Sequence, residues 1–195
     1  MVLALMRNFS HLNGSNLVKV FLVFMILMVS SCSITPVHQM MYRFDENEVK
    51  WSRQSGSSSI DGFAFLERSG SREVRSCAGR TVKAIPFSSF SREAIYARFE
   101  SIDHGYIPYN DWNNVRLIAQ GDEYRRYLAS HKQTICDING YFRFIDLPAG
   151  TYYLVSDMNY NSFYGGWIMK RVTLNDQEKV TVNMSQLGAA LEVND

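Results

Sequence analysis

Apolar and polar positions alternate with period two along much of this chain. In 60–66, Ile60, Gly62, Ala64 and Leu66 share one face while Phe63 and Phe65 share the other, as a pleated strand requires. In 81–87, Val82 and Ala84 lie on one face, and Pro86 marks a sheet edge or an exit from the sheet. Phe142 and Phe144 stand opposite Arg143, and Tyr152 and Leu154 line one face of the next run. Near the end, Val180, Val182 and Met184 alternate with Thr181 and Asn183. Together with 133–137 and 166–174, the pattern predicts about seven strands, enough for a two-sheet sandwich.

Two corners punctuate the stretch "TICDINGYFRFIDLPAGTYYL", residues 134–154. In "DING" the Asp137 carboxylate can accept backbone N–H bonds inside the turn, and Gly140 supplies a positive φ. In "LPAG", Pro148 suits the second turn position and Gly150 the fourth.

The rhythm breaks over about 88–130, which reads as a partly helical insertion. Ser91 is a candidate cap for a helix carrying Ile95, Phe99 and Ile102 at helical spacing. "DHGYIPYNDW" reads as a loop. A second helix fits 113–128, interrupted by Gly121, but "YRRYLASHKQTIC" reads equally well as a long strand. Residues 32–58 have poor periodicity and close on "SGSSS", so they read as a tether, flexible at its Gly/Ser end, with Tyr42 and Trp51 able to pack back. Residues 188–195 read as a loose tail.

The N-terminus carries location. Lys19 precedes the apolar run "VFLVFMILMV", 20–29, which is too short to span a bilayer, where ~20 apolar residues are needed. A basic flank, a short apolar stretch and small residues describe an export signal. "VSSC", ending at Cys32, resembles a bacterial lipobox. That resemblance implies cleavage after residue 31 and acylation of Cys32, with more than one acyl chain for stable anchoring. Ser33 replaces the aspartate that favours inner-membrane retention in such lipoproteins, so the implied address in a Gram-negative envelope is the outer membrane, facing the periplasm. Ordinary secretion with cleavage after Ser33, or an uncleaved anchor, are the competing readings.

The series Thr134, Asp137, Gly140, Phe142, Phe144, Leu147, Pro148, Gly150 and Tyr152 resembles the signature of carboxypeptidase regulatory-like domains. These are transthyretin-like (prealbumin-like) β-sandwiches. Ile60 and Gly62, then Ala78, Gly79, Val82, Ala84 and Pro86, are similar to their first two strands. "GFAFLERSGSREVRSCAG" is similar to bacterial lipoproteins that carry one such domain. The resemblance implies a mainly β, seven-stranded sandwich over 59–187, behind a signal peptide (1–31) and an anchor with tether (32–58). It fixes no activity, because a fold does not specify a function.

Charge and chemistry narrow the picture further. Without residues 1–31, which hold Arg7 and Lys19, 18 basic residues face 19 acidic ones. A near-neutral chain gives no electrostatic footprint for nucleic acid. No HExxH, G-x-S-x-G or CxxC motif occurs, so no catalytic residue, metal site or cofactor is expected. His104 and His131 stand without paired carboxylates. Lys83 and Asn183 are conceivable partners for the Lys–Asn isopeptide bond of related collagen-adhesin repeats, although strand alternation assigns Lys83 to solvent. Arg125, Arg126, His131 and Lys132 form a basic run, read first as a solvated face. With Cys32 acylated, Cys77 and Cys136 remain as an even pair in an oxidising compartment; a disulfide and two buried thiols are both open.

Tyr160, Phe163, Tyr164 and Trp167 cluster around two glycines. Tyr164 and Trp167 can stack on sugar rings, or serve only strand packing. The expected function is that of a non-enzymatic, lipid-anchored envelope protein whose sandwich is a structural or interaction module. The alternatives are a glycan-binding module and an accessory lipoprotein of a secretion or transport machine.

Overall fold

The computed structural model describes residues 37–67, 73–109, 116–118, 122–159 and 165–186, all within the unit Thr35–Asp195. The expected signal peptide, Cys32, Tyr164 and the tail lie outside the described residues. The first elements are β1 (Val37–Gln39), α1 (Glu46–Val49), a 3-10 turn (Lys50–Arg53), β2 (Ser58–Glu67), β3 (Val74–Ser76) and β4 (Thr81–Pro86). Helix α2 (Ser89–Phe99), β5 (His104–Pro108), β6 (Arg116–Ile118) and α3 (Glu123–Ala129) follow. The chain continues through β7 (Lys132–Ile135), β8 (Tyr141–Leu147), β9 (Gly150–Asn159), β10 (Gly165–Leu174) and β11 (Lys179–Met184).

The alternation becomes a mainly β sandwich of two sheets. One has five strands in the order β5-β10-β9-β4-β7. The other has four, with β2 flanked by β11 along one edge and by β8 and β3 along the other. The β11–β2 pair is parallel. The expected seven strands are too few. Segment 104–108, read as loop, pairs antiparallel with β10, and β3 extends the pairing of β2. Both occupy hydrogen-bonding edges that would otherwise stay open.

The first core fills the space between the sheets, with Ile60, Val82, Phe142, Phe144, Tyr152, Leu154, Ile168 and Val182 among its buried side chains. These are the inward positions of the alternating runs. A second core lies on the opposite face of the five-stranded sheet. There Ile85, Tyr153, Val155 and Met169 meet Phe90, Ala94, Ile95 and Phe99 of α2 and Tyr127 of α3. The sheet is therefore buried on both sides, which is why "YYLV", 152–155, reads as an unbroken apolar run.

The insertion is only partly helical, and its boundaries differ from those expected: the second helix starts at Glu123 rather than 113, because 116–118 form β6, paired in parallel with β1. Ser88, not Ser91, caps α2: its hydroxyl accepts the Ser91 N–H at 3.0 Å, and Ser91 Oγ accepts the Ser88 N–H at 2.7 Å. This reciprocal box satisfies two end donors of the helix. The stretch read as either helix or strand is both, because α3 ends at Ala129 and β7 begins at Lys132.

Residues 37–57 do not form a free tether. Phe44 and Val49 are 4% and 0% exposed. The Phe44 ring meets Phe90 at 5.9 Å and Tyr127 at 5.8 Å, and Trp51 packs edge-on to Tyr152 at 5.2 Å. Glu93 of α2 clasps the same segment, accepting from the Met41 N–H at 2.8 Å, the Tyr42 N–H at 2.9 Å and His38 Nε2 at 2.9 Å. Burial pushes the Glu93 carboxyl up, but those donors outweigh it and hold it below its ordinary value. A signal was present in the sequence. Asp45 accepts the Asn47 N–H at 2.8 Å as an N-cap, and Glu48 follows three residues on, the spacing of a helix start.

Candidate functional site

The two corners are structural. Asp137 Oδ1 accepts the Asn139 N–H at 2.8 Å and the Tyr141 N–H at 2.9 Å. Gly140 has φ +82°, and a Cβ there would come within 2.4 Å of the Ser76 side chain. Gly150 has φ +150°, and its Cβ would come within 2.3 Å of the Trp51 ring. The Pro148 carbonyl accepts the Tyr152 hydroxyl at 3.0 Å, tying the corner to the strand that leaves it. Cys77 follows β3 and Cys136 follows β7. The two form a disulfide, with Cα atoms 5.7 Å apart. It joins the edge of one sheet to the edge of the other, and backbone bonds from Gly79 N to Cys136 O and from Cys136 N to Arg80 O flank it.

The isopeptide reading fails on topology. Asn183 points away from the core of the four-stranded sheet, as Val182 and Met184 point in. Lys83 points out of the other sheet, between Val82 and Ala84. The two side chains stand on opposite outer faces of the sandwich. Nor is Lys83 given to solvent, because the helical layer covers its face and leaves it half-buried.

Lys83 instead lines a cavity of about 260 Å³ between the outer face of the five-stranded sheet and the two helices. Lys83, Val155 and Met169 form one cross-strand row, and Asp157, Trp167 and Ile107 the next. Lys83, Val155 and Trp167 of these rows reach the cavity, with Ile85. Helix α2 supplies Ala94, Ile95 and Arg98, one face at i, i+1 and i+4. Helix α3 and the link after it supply Tyr124, Tyr127, Leu128 and His131, one face at i, i+3, i+4 and i+7.

The polar groups there are drawn partly or fully out of solvent. The His131 ring packs edge-on to Tyr127 at 4.4 Å, and among the described residues its Nε2 is buried without a hydrogen-bond partner. Burial, and then the Lys83 charge, push its pKa down to about 3, so the imidazole is neutral near pH 7. Burial also lowers Arg98 and raises Tyr127. Beside the cavity, Asp157 is occupied: Arg80 Nη1 lies 3.4 Å from Oδ2, and the Tyr109 hydroxyl donates to the same oxygen at 3.5 Å.

Of the aromatic residues singled out in the sequence, Trp167 is half-buried against the second core and lines the cavity. It is a wall, not a free platform. The basic run does not form one surface. Arg125 pairs with Asp122 at 3.2 Å, Arg126 pairs with Glu46 at 3.3 Å, and His131 turns inward. Lys83, Arg98, Tyr124 and His131 were not foreseen as one site. The available signal was the helical spacing of 124, 127, 128 and 131. Among the described residues no group of three His, Cys, Asp or Glu side chains is placed to hold a metal ion, and no helix is long and apolar enough to cross a membrane.

No family model and no curated protein matches the chain. Among solved structures, it is similar to the crystal structure of a candidate carbohydrate-binding protein from Pseudomonas aeruginosa. The two share 25% sequence identity at a TM-score of 0.58, over 73% of this chain and 97% of that one.

Proposed function

We propose that this chain is a lipid-anchored protein of the bacterial envelope, held through Cys32, whose carboxypeptidase regulatory-like sandwich is a non-enzymatic saccharide-binding module. The observation that carries this reading is the cavity under the helical layer. Trp167, Tyr124 and Tyr127 supply aromatic walls, which suit the apolar faces of a sugar ring. Lys83, Arg98 and His131 supply polar heads, which suit its hydroxyls. Ligand sites commonly combine an apolar lining with a few convergent polar groups, in volumes of ~300–1,000 Å³. At about 260 Å³, this one suits a single ring. The likeness to a candidate carbohydrate-binding protein supports the same ligand class.

A glycan array probed with the full-length protein in detergent tests the reading. Trp167→Phe and Tyr124→Ala should each weaken retained glycans about tenfold or more, with thermal unfolding still cooperative. Absence of any retained glycan, or unchanged binding by both variants, would refute it.

A further inference from the structure

We infer that the cavity selects an acidic saccharide, a sugar ring bearing a carboxylate, in preference to a neutral one. This rests on the saccharide reading above and adds the charge of the ligand.

The cations approach from different elements. Lys83 rises from β4 on the floor and Arg98 descends from α2 in the roof. Lys83 is near enough to His131 for its charge to act on the imidazole. Among the described residues that line the cavity, none is a carboxylate. Asp157, in the row beside Lys83, is engaged by Arg80 and Tyr109. Glu123, at the start of α3, accepts the Phe44 N–H. Arg98 has other contacts as well, and it still brings positive charge to the lining.

Charges drawn partly out of water gain most from a ligand of opposite sign, because the reduced dielectric strengthens the attraction and the ligand replaces lost hydration. The Lys83 ammonium offers a carboxylate a compact point charge with three donors, and the Arg98 guanidinium adds positive charge to the same lining. The cavity's volume, about 260 Å³, admits one ring, so the ligand is a single uronic acid residue or the end residue of an acidic polymer.

The test is calorimetric titration of the full-length protein in detergent with methyl β-D-glucuronide, methyl β-D-glucoside, galacturonic acid trimer and inorganic phosphate, at low and high salt. The glucuronide should bind at least about tenfold tighter than the glucoside, the ratio expected when a charge-assisted hydrogen bond is gained. Lys83→Gln should abolish that ratio and Arg98→Gln should lower it, whereas Lys83→Arg should keep most of it. Added salt should weaken glucuronide more than glucoside. Binding of the trimer as tightly as the monosaccharide identifies an end residue as the ligand. If glucoside binds as well as glucuronide, the charge inference is overturned and the saccharide reading stands. If phosphate binds as well as glucuronide and glucoside does not bind, the site is a general anion site and the inference fails. If nothing binds, the saccharide reading itself fails and this inference with it.

Discussion

Replacing Cys77 and Cys136 by alanine removes the one covalent link between the edges of the two sheets seen among the described residues. The bridge spans a sequence separation of 59 residues, and the whole helical insertion lies inside the loop it closes. Loop-closure entropy for that length corresponds to about 4 kcal/mol at 25 °C. The gain arises in the unfolded chain, which the crosslink restricts. Breaking the bridge from either end therefore forfeits all of it. Cys77→Ala, Cys136→Ala and the double variant should each lose about 4 kcal/mol, with a smaller addition for the sulfur atoms withdrawn from the core. Urea unfolding measures this. The two single losses should fail to add by nearly the full value. The dependence on denaturant should steepen in all three variants, because the unlinked chain exposes more surface. Melting temperature should fall by roughly 8–16 °C, at ~2–4 °C per kcal/mol for a domain of this size. Single losses that simply sum in the double variant would refute the reasoning. So would alkylation of both thiols in native extracts without prior reduction.

Gly150→Ala should cost about 2–4 kcal/mol, because φ is +150° and the added Cβ meets the Trp51 ring at 2.3 Å; an unchanged urea midpoint would contradict that account. His131 has a folded pKa of about 3 against about 6.5 unfolded, so only the unfolded chain takes up this proton at mildly acidic pH. Its contribution is fully present above about pH 6.5 and falls as pH drops toward 3, by at most about 1.4 kcal/mol per pH unit. His131→Gln should accordingly flatten the stability profile between about pH 6 and 5, and identical profiles for the two proteins would show that His131 is not held neutral. Cys32→Ala should release the protein from membranes or leave its signal uncut. Membrane fractionation with intact-mass measurement decides this, and wild-type partitioning and maturation would end the lipoprotein reading.

The inward faces of the strands were legible in the sequence because burial on a pleated sheet has a period of two. Ile60, Ala64, Phe142, Phe144, Val182 and Met184 declare themselves in single short windows. The corners were legible for a similar reason, since Asp137, Gly140, Pro148 and Gly150 answer to local turn geometry, although the side chains of Ser76 and Trp51 that close on Gly140 and Gly150 come from distant segments. Cys77 and Cys136 could be paired by parity and compartment, but their closeness depends on how two sheet edges meet. The second core was harder. "YYLV" states that both faces of its strand are apolar, but not that α2, α3 and the segment carrying Phe44 and Val49 cover the outer one. The cavity was beyond local reading. Its polar heads stand at 83, 98 and 131 and its tryptophan at 167, brought together by sheet register and by the docking of two helices on that sheet. Local periodicity says which way a side chain points within its own element. Only long-range pairing, whose free energy is gained when distant segments close on each other, decides which other side chains it meets.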